Sequence, residues 1–184
     1  MTDSISSETT LEDQSSGNDG LHDGGQGKGV VTWQLFDEDG NLKAEGTEEE
    51  NICTQKGQQM YVDRGAGVGS PPNAPTGMKL GSGTTTAALT GAGAALVTYI
   101  TNSHQAFDAT FPSSAANGSA WRVTYKCTFA AGKGTGNIQE LVIVIDTLAD
   151  ATSTAANTAH RIVSAVGTKA AGDSLVVTWT YDLS

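Results

Sequence analysis

Nine residues, WRVTYKCTF from Trp121 to Phe129, restrict the fold more than any other stretch of this chain. Trp121, Val123, Tyr125, Cys127 and Phe129 alternate with Arg122, Thr124, Lys126 and Thr128. A strict period of two places all five apolar side chains on one face of a pleated strand, and a helix would scatter them. Such a strand needs a sheet with one buried face, and a second layer to bury it.

The rest of the sequence supplies material for both layers. VVTWQLF (Val30 to Phe36) alternates in the same way, and so does SLVVTWTYDL (Ser174 to Leu183). IQELVIVI (Ile138 to Ile145) is nearly continuous in apolar residues, which suits a strand covered on both sides. HRIVSAV, MKLGSG, ALVTYI and AFDATF read as further strands. DEDGN (Asp37 to Asn41) is a turn signal, and LKAEG after it reads as the return arm of a hairpin. TQKGQQMYVDRG predicts a short helix capped by Thr54 and ended by Gly65. The Gly- and Pro-rich GAGVGSPPNAPTG is a loop. The expected fold is all-β: an antiparallel, jelly-roll-like β-sandwich of about eight strands with one short helix. All three tryptophans, Trp33, Trp121 and Trp179, fall on the inward phase and are expected in the core.

Residues 1–28 are different. The segment has no aromatic residue, few large aliphatics (Ile5, Leu11 and Leu21 among them), six acids and one base. It cannot bury enough apolar surface to offset an ordering cost of about 1–2 kcal/mol per residue. It is expected to be an extended acidic arm used in assembly, contacting a partner through Ile5, Leu11, Glu12, Asp13 and Leu21, with the sandwich domain spanning 29–184.

Chemistry is hard to find. AAGKGTGN lacks the G-x-x-x-x-G-K-[S/T] spacing of a phosphate-binding loop, and strands rather than a helix follow it. It reads as a hairpin loop. DEDGN places its Gly two residues too early for a calcium-binding EF-hand. The acids Glu48 to Glu50 read as a solvated loop. His22, His104 and His160 are not spaced with other ligands as metal pairs, and no G-x-S-x-G marks a nucleophile. Cys53 and Cys127 form no C-x-x-C pair, and Cys127 sits on an apolar phase as a small buried hydrophobe. Asn117-Gly118-Ser119 matches a glycosylation sequon, a short and common pattern. No catalytic residue, metal site or cofactor is expected. A net charge of −10 argues against nucleic-acid binding. No apolar run approaches the ~20 residues of a membrane helix. The first residues have neither the basic nor the apolar region of a secretory signal, so the protein is expected to stay in a cytosol or leave the cell inside something larger.

As a set, four segments resemble a group of small structural proteins of tailed bacteriophages. VTWQLFDEDGNLKAEG…NICTQKGQQMYVDRG is similar to their opening, where an x-D-x-D-G-N-x hairpin leads into an Asn-containing strand and a helix ending at Arg. MKLGSGTTT resembles their Gly-Thr-Gly-Thr segment. RVTYKCTFAAGKGTGNIQELVIV resembles their strand, Gly-rich loop and following strand, and AGDSLVVTWTYDL resembles their closing strand. The likeness spans about residues 29–184. It departs at Glu140-Leu141-Val142, where the group has Glu followed by a Gly and an aromatic.

The resemblance implies a virion protein assembled in the host cytoplasm, without enzymatic activity. The first expectation is a capsid decoration (cement) or head-fibre protein, a homo-oligomer such as a trimer, docking on capsid subunits. A tail-fibre or baseplate component is the alternative. A carbohydrate-binding module using Tyr99, Phe107 and Phe111 is the alternative of another class.

Overall fold

Alternation in the sequence becomes two layers in space. The computed structural model describes residues 28–49 and 51–183. Sheet A contains β1 (Lys28–Phe36), β2 (Leu42–Glu48), β6 (Ser113–Asn117), β7 (Ala120–Phe129) and β10 (Ser174–Leu183), in the order β2-β1-β10-β7-β6. Sheet B contains β3 (Ile52–Cys53), β4 (Gly77–Gly81), β5 (Gln105–Ala106), β8 (Gly136–Val144) and β9 (Thr158–Lys169), in the order β3-β9-β8-β4-β5. All pairings are antiparallel. The chain is an all-β sandwich with one short helix, α1 (Gln55–Gly65), among the described residues.

The core lies where the inward phases meet. Val31, Trp33 and Leu35 of β1, Tyr125, Cys127 and Phe129 of β7, and Leu175, Val177 and Trp179 of β10 pack against Met78 and Leu80 of β4, Leu141 and Ile143 of β8, and Ile162 and Val166 of β9. The helix forms where its cap predicts it: the Thr54 hydroxyl accepts from the Gly57 N–H at 3.1 Å. Tyr61 on α1 then touches both sheets, stacking on Tyr181 of β10 and meeting His160 of β9 edge-on.

Gly57 is what lets α1 approach this closely. A Cβ there would stand 2.1 Å from the Ala159 carbonyl oxygen, a backbone atom that cannot swing away. In an exposed helix, Gly to Ala gains about 1 kcal/mol. Here Gly57→Ala is expected to lose about 1–3 kcal/mol through overpacking. A higher urea midpoint for that variant would show that the helix is not seated against Ala159.

Four sequence expectations are corrected. There are ten strands rather than about eight among the described residues, because β3 and β5 are two-residue pairings and β6 (SSAAN) has no apolar pattern to reveal it. ALVTYI is not a strand: Leu96 and Ile100 are buried from a loop held to β4 by one isolated bridge, Gly81 to Tyr99, and by hydrogen bonds from Ile100 and Ser103 to the Leu80 carbonyl. In AFDATF only Ala106 pairs as strand, and Asp108 to Phe111 form a turn. Trp121 is 59% exposed, although it keeps the inward phase. Alternation fixes which face a side chain takes but not where the opposing layer ends, and Trp121 lies one inward pair beyond Val123 and Tyr181.

Two further readings hold. Asp37 organises the β1–β2 hairpin, accepting from the Asp39 and Asn41 N–H groups at 3.0 and 2.8 Å, which holds its carboxyl below the usual range. On β8, Leu141 to Val144 are all fully buried, because loops cover the outer face of sheet B and seat Leu96 against Val142 and Val144.

Candidate functional site

Charged and nucleophilic groups are the ones that would carry catalysis. The largest group sits on the outer face of sheet B. Glu140 (β8) and Arg161 (β9) are diagonal neighbours, both 0% exposed, and Arg161 Nη2 donates to Glu140 Oε2 at 2.9 Å. The remaining capacity of the carboxylate is filled by the N–H groups of Gly83, Val97 and Thr98 at 2.7–3.1 Å. The guanidinium also donates to the carbonyls of Gly93 and Thr85 at 2.7 and 2.8 Å. Every one of these backbone partners belongs to the loop between β4 and β5. The pair is a latch that fastens this loop over the sheet, with no side of the carboxylate open to a substrate.

The other buried groups have similar duties. Lys79 donates to the Ala151 carbonyl at 3.0 Å, with Asp146 at 3.9 Å and the Tyr99 ring beside it, and burial lowers its pKa. Lys169 donates to the carbonyls of Ala130 and Asp173. Burial raises both thiols, Cys53 to about 11 and Cys127 further, so both stay protonated and poorly nucleophilic at neutral pH. His160 is fully buried, its Nε2 2.9 Å from the Tyr61 hydroxyl, which is itself 2.8 Å from the Tyr125 hydroxyl. The described residues contain no group of three or more His, Cys, Asp or Glu able to hold a metal ion.

The glycine loop joins β7 to β8, which lie in different sheets, so it is an arch between layers and not a hairpin. Gly132 and Gly134 adopt φ of +78° and +61°, which turns the chain across the edge of the sandwich. Its N–H groups are used internally: Gly132 donates to Ala171, Lys133 to Ala130 and Gly134 to Asn102. Lys133 Nζ donates to Asn102 Oδ1 at 3.0 Å. These three donors are therefore not free to cradle a phosphate. Of the three aromatic residues expected to stack on sugar, Tyr99 bonds His104 and Ser103 and Phe107 packs on Tyr125 at 5.2 Å, while Phe111 is half-buried at the turn it forms with Asp108.

What remains is the exposed margin of sheet A. Sheet A ends on one side at β2, which carries Lys43, Glu45 and Glu48, and on the other at β6, which has no charge and no proline. Charges discourage another strand from adding to an edge, and β6 lacks that protection. All five β6 residues are exposed. A two-residue turn, Gly118-Ser119, joins β6 to β7 and makes Asn117 and Ala120 a hydrogen-bonded pair. By alternation the Ala116 and Ser114 N–H groups point off the sheet. Trp121 pairs with Ala116 on one side and with Leu183, 41% exposed, on the other. An open edge and an exposed tryptophan therefore share one corner of sheet A. An open sheet edge is expected from the sequence, but neither its place at β6 nor the exposure of Trp121 is; the absence of charge in SSAAN is the available signal. Ile5, Leu11, Glu12, Asp13 and Leu21, the expected partner contacts, lie outside the described residues. Neither protein-family models, nor curated proteins, nor solved structures give a match to this chain.

Proposed function

We propose that this chain is a virion structural protein of a tailed bacteriophage, a capsid decoration or head-fibre protein that docks on capsid subunits. The observation that carries the reading is the corner where the unguarded β6 edge meets Trp121. Strand addition to such an edge gives a rigid body a directional contact without a ligand pocket. The use of Glu140, Arg161, Lys79 and His160 in holding the fold together supports a structural role over a catalytic one. The order of sequence segments along 29–184 supports the phage assignment.

The test is the number of copies of this chain per purified particle, relative to the major capsid protein. Hundreds of copies support decoration, a few dozen or fewer move the protein to the tail or a fibre, and none overturns the proposal. Ser114→Pro supplies a matched variant. It removes an N–H that points away from β7, so the fold and its urea midpoint should be retained. Incorporation should fall to background. Full incorporation of a folded Ser114→Pro protein would remove β6 as the docking edge.

A further inference from the structure

Lys79 and Asp146 are brought together by neighbouring strands of sheet B. Met78 and Leu80 of β4 face the core, so Lys79 between them lies on the outer face. Asp146 follows β8, whose Val144 pairs with Gly77 of β4. The Thr76 hydroxyl ties the two segments, donating to the Val144 and Asp146 carbonyls at 3.2 and 2.6 Å. Lys79 Nζ then stands 3.9 Å from Asp146 Oδ1, with side chains 1% and 20% exposed. As an ion pair this arrangement is incomplete. An ammonium carries three donors, but the hydrogen bond Nζ makes among the described residues is to the Ala151 carbonyl at 3.0 Å. Asp146 Oδ1 is buried with no hydrogen-bond partner among those residues. Its other oxygen, Oδ2, accepts from the buried Ser153 hydroxyl at 3.2 Å. Burial lowers the pKa of Lys79, against the opposing pull of Asp146 and Asp150, and so favours the neutral amine, which is the nucleophilic form.

We infer that Lys79 and Asp146 condense to an intramolecular isopeptide bond. Nζ attacks Cγ, an N–C bond forms and the Cγ–Oδ1 bond breaks. Counted from ammonium and carboxylate, two protons pass from the nitrogen to Oδ1, which leaves as water. Oδ2 becomes the amide oxygen, and no oxidant or cofactor is needed. Ser153 already donates to Oδ2, where negative charge builds as the nitrogen adds. Nζ must come within about 3–3.5 Å of Cγ. The carboxylate, bonded at one oxygen, is free to turn toward it. Burying two incompletely paired charges is costly, and condensation removes both. The product would staple β4 to the segment after β8. The inference concerns the chain by itself and stands apart from the virion reading.

The intact mass of the denatured full-length chain reads the bond directly, since condensation removes one water. The purified protein should be lighter by one water than its sequence with the same N-terminus. Lys79→Arg and Asp146→Ala should each restore the full mass. Trypsin should leave Lys79 uncut and release a branched peptide that carries both Lys79 and Asp146. A wild-type chain of full mass overturns the inference, whether or not the variants fold. So does a water loss that persists in Lys79→Arg, which would place the dehydration elsewhere, as at Asp39-Gly40. Either failure leaves the particle count untouched.

Discussion

Arg161→Met is expected to destabilise the protein by about 3–5 kcal/mol, the largest loss from any single substitution considered. The reason is the partner left behind. Glu140 is 0% exposed, and without the guanidinium its charge would depend on three backbone N–H groups alone. Glu140→Gln should be nearly as costly, because an uncompensated Arg161 would face only carbonyl oxygens and one donor-bearing amide. In many proteins, replacing both members of a buried pair with apolar residues restores stability. That is not expected here. Glu140 and Arg161 also satisfy five backbone groups of the β4–β5 loop, and an apolar pair would strand all of them.

The double variant should therefore cost less than the sum of the singles while staying well below wild type, with a coupling of about 0.5–3 kcal/mol. Urea midpoints of the four proteins would measure it. Strict additivity would mean that the two residues do not act as one latch. Amide exchange at Val97 and Thr98 should speed up in each variant, since their N–H groups donate to Glu140.

This latch shows where the sequence stops being legible. The periodic strands could be read because each carries its own signal: β7 and β10 alternate over nine or ten residues, and α1 has Thr54 at its cap. The double-sided burial of β8 could be read from its continuous apolar run. What covers that outer face could not. Leu96 and Ile100 are buried from a loop by contacts that leave no periodic trace, so ALVTYI resembles a strand in sequence alone. Glu140 and Arg161 meet because β8 and β9 pair in the register Glu140 to Val163 and Val142 to Arg161, and no spacing rule anticipates that register. The candidate docking corner was hidden for a similar reason. The phase of Trp121 was right, but its exposure depends on how far sheet B extends, which is a property of the assembled layers. β6 was overlooked because an edge strand of small residues has no apolar face to announce it.

Acid should reveal the second large effect, at His160. The ring is 0% exposed, Tyr61 and Tyr125 beside it are neutral, and its Nδ1 has no partner among the described residues. Burial pushes its pKa from 6.5 down to about 3. The unfolded chain therefore takes up a proton below pH 6.5 that the folded chain refuses until about pH 3. Stability must fall as pH drops through that window, by about 1.4 kcal/mol per pH unit once the unfolded histidine is fully charged. Asp37, Asp150 and Asp173 act lower: hydrogen bonds and neighbouring cations hold their pKa values below 3.8, so their contribution is lost only as pH falls beneath about 4. Between pH 6 and 4.5 the slope should belong largely to His160. His160→Phe keeps a ring in the aromatic cluster and leaves the Tyr61–Tyr125 bond in place. It is expected to lose about 1–3 kcal/mol at pH 7 from the larger ring. Its loss of stability on acidification should then be flatter than that of wild type, narrowing the gap by pH 4.5. Urea midpoints at half-unit steps of pH would decide it: parallel curves would mean that His160 is solvated or charged in the native protein, and that the cluster around Tyr61 is not closed.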